Sequence, residues 1–277
     1  MRAAIKIALA LTAPLIAACG APGDGAATPV QAVADCAGCP EMVTIPAGTF
    51  TMGSPTSELY RGAETQHQVT LPAFALSKTE ITFDQWDACV ADGGCGGFKP
   101  EDQGWGRGKM PVIGVSYGDA TSYAAWLSGK TGKQYRLPSE SEWEYAARAG
   151  GTAPFSFGDA INSEQANYDG STAYKEGAAG PNRQKTVVVG SFAPNGFGLY
   201  DMHGNVWEWV EDCWSDEYTP AHPADGKPFL GANCEGRVLR GGSWEDYAGD
   251  VRASARVASS REDATWSDGF RVARSIE

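Results

Sequence analysis

Few side chains in this 277-residue chain have the types and spacing that chemistry needs. Thiols come first. Cys36, Cys39, Cys89, Cys95, Cys213 and Cys234 form an even set once Cys19, near the N-terminus, is put aside. Cys36-Ala37-Gly38-Cys39 has the spacing of a redox motif, yet no βαβ pattern follows it. It also lacks the second CxxC or paired His of a structural zinc site. An even set points instead to an oxidising compartment and disulfides, with the connectivity left open. Nearest-neighbour pairing (36–39, 89–95 and 213–234) is the expectation, because each pair brackets Gly, Pro or polar loop residues. Nitrogen ligands are scarcer. His67, His203 and His222 lie in three separate regions, which does not suit a His-based iron site. Ser243 has no assigned His neighbour and no Gly-x-Ser-x-Gly elbow, so a nucleophilic triad is unsupported. Glu140, Glu142 and Glu144 read as cap and solvated-face residues rather than as an acid–base pair.

The balance of 22 Lys+Arg against 34 Asp+Glu gives a net charge of -12, so the basic face that phosphate binding needs is missing. Nucleic acid is not an expected partner. The N-terminus suggests export. Arg2 and Lys6 precede an apolar run from Ile7 to Ile16, of the length of a signal-peptide core. Leu15-Ile16-Ala17-Ala18-Cys19 resembles a bacterial lipobox, in which cleavage precedes the cysteine and its thiol carries diacylglycerol. The alternative is an ordinary secretory signal with an incidental cysteine. The expected organisation is a signal peptide at 1–18, an Ala/Gly/Pro-rich lipid-anchored tether at 19–39 and one domain at 40–277. Such a protein would sit in the cell envelope, held to a membrane by acyl chains and facing the periplasm or the cell surface.

Within the domain, helices are predicted by their caps. Thr82 with Gln85 and Ser139 with Glu142 each open a helix, closed at Gly93-Gly94 and Gly150, and Ser116 to Leu127 reads as another, with Asp119 near its start. Residues 42–53 read as a hairpin turning at Pro46-Ala47-Gly48, and Gln68–Leu76 as a strand region. Beyond Gly151 helical periodicity stops, and short runs such as Thr186–Val189 and Arg237–Arg240 look strand-like. With 35 Gly and 9 Trp, no repeat and no clear linker, the expectation is one loop-rich α+β domain with aromatic anchors. Trp126, Trp143, Trp207 and Trp209 read as such anchors, and Arg136, Arg148, Arg252, Arg256 and Arg271 as internal ion-pair partners.

Five segments recur in order: Ile45–Gly53, Pro111–Ser116, Tyr135–Arg148, Asn195–Trp209, and Arg237–Trp244 closing with Gly269-Phe270-Arg271. Together they resemble the sulfatase-modifying factor family, the formylglycine-generating enzyme superfamily, over roughly residues 40 to 274. The resemblance implies a variant of the C-type-lectin-like fold with little regular secondary structure. It does not imply one activity. The superfamily holds copper-dependent oxidases that make formylglycine from a sulfatase cysteine, iron-dependent sulfoxide synthases, periplasmic pyoverdine-maturation proteins and ligand-binding display proteins.

The copper oxidases of the family carry two cysteines just after the Gly-Gly-Ser turn, since cuprous ion is soft and prefers thiolates. Here Asp246 and Val251 stand at the matching positions, so copper is not an expected cofactor. Ser243 and Trp207 match positions lining the family's active site. The expected vestigial groove is lined by Trp207, Ser243, Trp244, Asp246, Tyr247 and Trp266 and binds a peptide, glycan or small-molecule ligand. The acidic residues Glu245, Asp246, Asp250, Glu262, Asp263 and Asp268 would suit a cationic ligand there, with solvated surface as the default reading. Asp201–Glu208 resembles a family calcium loop, with ligands from the Asp201 and Glu208 carboxylates and the Gly204 and Val206 carbonyls. The alternative is that both acids accept structural hydrogen bonds. Two enzymatic readings stand beside the binding one: a periplasmic oxidoreductase acting on a peptide or siderophore-like substrate, and formylglycine generation on sulfatases.

Overall fold

The computed structural model describes residue 1 and residues 32–231 and 234–276. The lipidation residue Cys19, the signal segment after Met1 and the tether up to residue 31 lie outside the described residues.

Three capped helices occupy the first half. Helix α1 (Phe83–Ala91) begins at Thr82, whose hydroxyl accepts from the Gln85 amide while the Gln85 side chain returns to the Thr82 amide. The same reciprocal box, Ser116 with Asp119 and Ser139 with Glu142, starts α2 (Tyr117–Thr131) and α3 (Glu140–Arg148). Each box satisfies amides that the first helical turn leaves unpaired. Gly132 ends α2 in the left-handed conformation that glycine adopts without strain.

The strands are β1 (Ala32–Ala34), β2 (Glu41–Ile45), β3 (Gly48–Met52), β4 (His67–Leu71), β5 (Phe74–Ser77), β6 (Tyr135–Arg136), β7 (Trp207–Cys213), β8 (Gly236–Arg240), β9 (Arg256–Ser260), β10 (Asp268–Phe270) and β11 (Ala273–Ser275). One sheet has the order β1-β2-β5-β11-β6, a second β10-β7-β8-β9, and β3 pairs with β4 alone. Only β10–β7 is parallel among these pairings.

Three sequence expectations need correction. Residues 42–53 form no hairpin: β2 pairs with β1 and β5, and β3 pairs with β4. None of Pro46, Ala47 and Gly48 has the positive φ that a tight two-residue turn requires, so the chain passes from one sheet to another. Thr186–Val189 is not a strand. Its amides are served elsewhere, Val187 by the Asn205 side chain at 2.9 Å and Val189 by the Lys109 carbonyl at 3.0 Å. The folded unit also starts before residue 40. Ala32–Ala34 pairs with Glu41–Val43, and Asp35 binds Lys133 at 2.5 Å and Arg274 at 3.0 Å while accepting from the Tyr135 hydroxyl. These contacts remove residues 32–39 from the tether.

The disulfides are Cys36–Cys39, Cys89–Cys95 and Cys213–Cys234, as nearest-neighbour pairing anticipates. The core lies in three clusters. Trp86, Tyr123 and Phe270 centre the first, between α1, α2 and β10; Trp143, Phe74 and Leu76 centre the second, under α3. Phe155, Tyr168 and Tyr174 centre a smaller third one beneath the long loops. Trp209 is fully buried and its indole N–H donates to the Val115 carbonyl at 2.9 Å, which ties β7 to the loop before α2.

Candidate functional site

The site region rests on a buried charge web. Helix α3 is buried along its whole length, which corrects the reading of its glutamates as solvated. Glu140 binds Arg256 at 2.7 Å and Arg240 at 3.3 Å; Glu144 binds Arg240 at 2.6 Å and Arg148 at 2.8 Å; Glu142 binds Arg136 at 2.6 Å. Burial alone would raise Glu140, but Arg256 and Arg240 outweigh it and hold its carboxyl below the ordinary range. These arginines come from β8 and β9, so charge on one element is neutralised by another distant in sequence. The ion-pair roles read for Arg136, Arg148, Arg252, Arg256 and Arg271 are all present.

The loop entering β7 is tightly wound. Asp201, Gly204 and Asn205 all have positive φ, and a Cβ on Gly204 would stand 2.3 Å from the Asn167 carbonyl oxygen. Asn205 acts as a hub: it donates to Glu80 at 2.9 Å and accepts from Asn167 at 3.1 Å and from the Val187 amide at 2.9 Å. Asp201 accepts the Gly190 amide at 2.6 Å. Glu208 accepts from Arg271 at 2.6 and 2.7 Å and from the Trp143 indole N–H at 2.6 Å, so its two oxygens already serve structural donors. Asp201 Oδ1 and Glu80 Oε2 are buried with no donor from any other described residue, and the two carboxyls are near enough to share a proton. Burial raises both carboxyls, and repulsion from Asp201 and Glu208 pushes Glu80 up further. Nothing in its local pattern marks Glu80, which enters the region only through the fold. Among the described residues no group of three or more His, Cys, Asp or Glu side chains stands in a metal-holding arrangement. A cation at this loop would therefore depend on carbonyl oxygens as well as carboxylates.

Next comes the Gly-Gly-Ser turn. Gly241 and Gly242 have positive φ, and a Cβ on Gly242 would lie 2.5 Å from Val251 Cγ1. Only glycine permits that approach. Ser243 is fully buried; its amide donates to the Asp246 carboxylate at 2.9 Å and its hydroxyl donates to the same oxygen. Asp246 thus closes the turn on itself, and burial raises its carboxyl. Val251 is also buried, and its carbonyl bonds His203 Nδ1 at 2.8 Å. Burial pushes His203 down to about 4; because the carbonyl can only accept, Nδ1 is the donor in this contact, and Nε2 accepts the Ser156 amide at 3.0 Å.

The six groove candidates do not line one groove. Ser243 and Asp246 form the turn's interior. Trp244 packs edge-on against Trp105 at 5.3 Å, and its indole N–H has no partner. Trp207 is half-buried and stands in register with Asp268 of β10. Trp266, 52 % exposed, lines a cleft of about 520 Å³ with Phe98, Pro100 and Gln103. Tyr247, 55 % exposed, lines a different cleft of about 320 Å³ with Tyr60, Tyr174 and Asp250. Within the acidic group, Asp268 caps the Thr265 amide at 2.9 Å and burial raises it to about 6, while Asp263 accepts from Ser260 at 3.1 Å. Tyr60, Tyr174 and Trp105 were not singled out from sequence. For Trp105 a signal existed, an aromatic between two glycines; for the tyrosines there was none.

The sequence matches the sulfatase-modifying factor enzyme 1-like domain over residues 29–276. A formylglycine-generating enzyme from Streptomyces coelicolor is 35% identical over 184 residues, 62% of this chain and 55% of that protein, so the match spans about half of that relative's length. One from Mycobacterium tuberculosis is 32% identical, covering 83% of this chain and 96% of that protein. Among solved structures, PvdO from Pseudomonas aeruginosa superposes with a TM-score of 0.78 at 38% identity, covering 91% of this chain and all of that one. Treponema denticola variable protein 1 superposes with a TM-score of 0.70 at 26% identity over 85% of this chain and 96% of its own.

Proposed function

The chain belongs to the sulfatase-modifying factor, or formylglycine-generating enzyme, family and has its loop-rich α+β, C-type-lectin-like fold, and on that premise we propose that it is an exported, lipid-anchored protein that binds a ligand and does not use copper. One observation carries this reading. The positions that would hold paired thiolates are occupied by Asp246, which caps Ser243, and by Val251, whose carbonyl holds His203. Among the described residues every cysteine is in a disulfide, so no other thiol pair can substitute. Carboxylate and carbonyl oxygens are hard donors and a poor match for cuprous ion. The clefts beside Tyr247 and Trp266 supply concave aromatic surface for a peptide, glycan or small molecule.

Calcium is part of the same proposal. Asp201 with the Gly204 and Val206 carbonyls offers an oxygen set, and the oxygens of Asp201 and Glu80 that no other described residue serves support a hard cation beside them. Glu208 already accepts three hydrogen bonds, from Arg271 and Trp143, which would compete with a cation for its oxygens.

Metal analysis of the purified protein tests both statements. Calcium that a chelator removes, with a fall in melting temperature, is the expected result, without stoichiometric copper or iron. One-to-one loading with Cu(I), together with aldehyde formation on a cysteine peptide from a sulfatase, would defeat the reading.

A second reading is a periplasmic oxidoreductase acting on a peptide or siderophore-like substrate, which the resemblance to the superfamily's pyoverdine-maturation members suggests. Oxygen consumption by copper-free protein with such substrates would favour it over pure binding.

A further inference from the structure

We propose that the cleft walled by Tyr60, Tyr174, Tyr247 and Asp250 binds an organic ammonium group, carried by a small amine or by the lysine side chain of a peptide. The proposal rests on the ligand-binding reading above and names the ligand class.

Two large aromatics stand in water at the mouth of this cleft: Tyr60 is 67 % exposed and Tyr247 55 % exposed. The ring of Tyr60 lies 5.8 Å from that of Tyr174, tilted by 40°. An aromatic face is electron-rich and attracts a cation within about 6 Å of its centroid. The Tyr174 ring already does so within the molecule, with the Lys175 ammonium 5.7 Å from its centroid.

The walls are fixed before any ligand arrives. Tyr60 is held at φ 59°, a conformation that bulky side chains rarely adopt. Arg252 holds it there: one buried guanidinium donates to the Tyr60 carbonyl at 2.7 Å and to the Gly249 carbonyl at 2.7 Å, joining both sides of the cleft. The Tyr60 ring lies against Gly249, where a Cβ would come within 2.8 Å of Tyr60 Cγ.

Charge also favours a cation. Arg252 is shared by Glu58 at 2.6 Å and Glu64 at 2.9 Å, so two carboxylates face one guanidinium and a formal negative charge is left over. Asp250 adds another at the rim, and the lining residues include no Lys or Arg. Finally, Tyr174 is 1 % exposed and its hydroxyl has no partner. A buried hydroxyl left unpaired is costly. Burial, with Glu58 behind it, pushes Tyr174 up to about 12, so this wall of the cleft stays a neutral, electron-rich phenol.

Calorimetric titration tests the assignment with n-butylammonium, choline and acetyl-Gly-Lys-Gly-amide, each against a neutral isostere. At least one ammonium should bind roughly tenfold or more tightly than its isostere. Tyr60→Leu and Tyr247→Leu should each weaken it about tenfold, whereas Phe at either position should retain it. Asp250→Asn should remove most of the salt dependence. Trp266→Ala, in the other cleft, should change nothing. Binding of the peptide without butylammonium assigns the group to a lysine side chain; binding of both assigns it to amines generally. All the substituted side chains are exposed, and circular dichroism checks that each variant is folded. No saturation by any ammonium, equal binding of the isosteres, or full affinity in both Leu variants would overturn the proposal. Such a failure leaves the copper-free binding reading intact, which the metal analysis decides separately.

Discussion

The charge web around α3 and the loop face carrying Tyr60, Trp244, Tyr247 and Trp266 are built on opposite principles. In the web, Glu140, Glu142 and Glu144 each face a guanidinium, and Arg240 makes four contacts to side-chain and carbonyl oxygens while only its Nε is left without a partner. Beneath the loop face the buried Trp244 indole N–H and Tyr174 hydroxyl have no partner among the described residues. The web neutralises its buried carboxylates with guanidinium groups from other elements, whereas the loop face sets large aromatic side chains, Tyr60, Tyr247 and Trp266, in water. In this chain the first region ties α3 to β8 and β9, and the second is built from loops, which can change without disturbing buried ion pairs.

The strongest way to break this comparison is Arg240→Met. It leaves Glu144 with Arg148 alone and Glu140 with Arg256 alone, deep in the core. Removing one partner of a buried ionic network costs about 3–5 kcal/mol. Urea unfolding should show that loss, and a change below about 1 kcal/mol would mean the web is not what holds the fold.

A pH series sharpens the same point. Asp212 accepts the Glu140 amide at 2.6 Å and the Phe229 amide at 2.8 Å, yet burial and repulsion from Glu140 push its carboxyl up to about 8. The ordinary value is 3.8, so across that window the folded state keeps a proton that the unfolded chain has released. This group's contribution to stability therefore falls as pH rises from about 4 toward 8. Asp212→Asn cannot ionise and should flatten the slope in that range, even though its amide serves one of the two backbone donors less well. An unchanged slope would show that Asp212 is ionised in the folded protein.

The two regions also differ in how far sequence alone reveals them. The caps Thr82, Ser116 and Ser139 are local signals, since each box is a contact between residues three apart, and all three helices start where those signals lie. The disulfide pairing was legible for a similar reason, with short loops between partners. The web was not. Glu140 meets Arg256 across 116 positions and Glu144 meets Arg240 across 96, and no periodicity along α3 announces such partners. Polar residues on a short helix look solvated until the strands that neutralise them are in place. The groove was half legible. Ser243, Trp244 and Asp246 are contiguous with Tyr247, but the other wall of the Tyr247 cleft comes from Tyr60 and Tyr174, which only the fold brings to it.

The smallest expected effect is on stability at the loop face itself. Tyr247 and Trp266 are more than half exposed, and neither side chain makes a hydrogen bond that truncation would leave unpaired. Surface substitutions of this kind usually fall within about 0.5 kcal/mol of the parent. Tyr247→Ala and Trp266→Ala should therefore unfold at nearly the parental urea midpoint. Equal stability makes a loss of ligand affinity in Tyr247→Ala readable as a lost contact rather than as a partly unfolded cleft. A loss above about 1 kcal/mol in either variant would merge the loop face with the core and erase the contrast between a region that holds the fold and one free to bind.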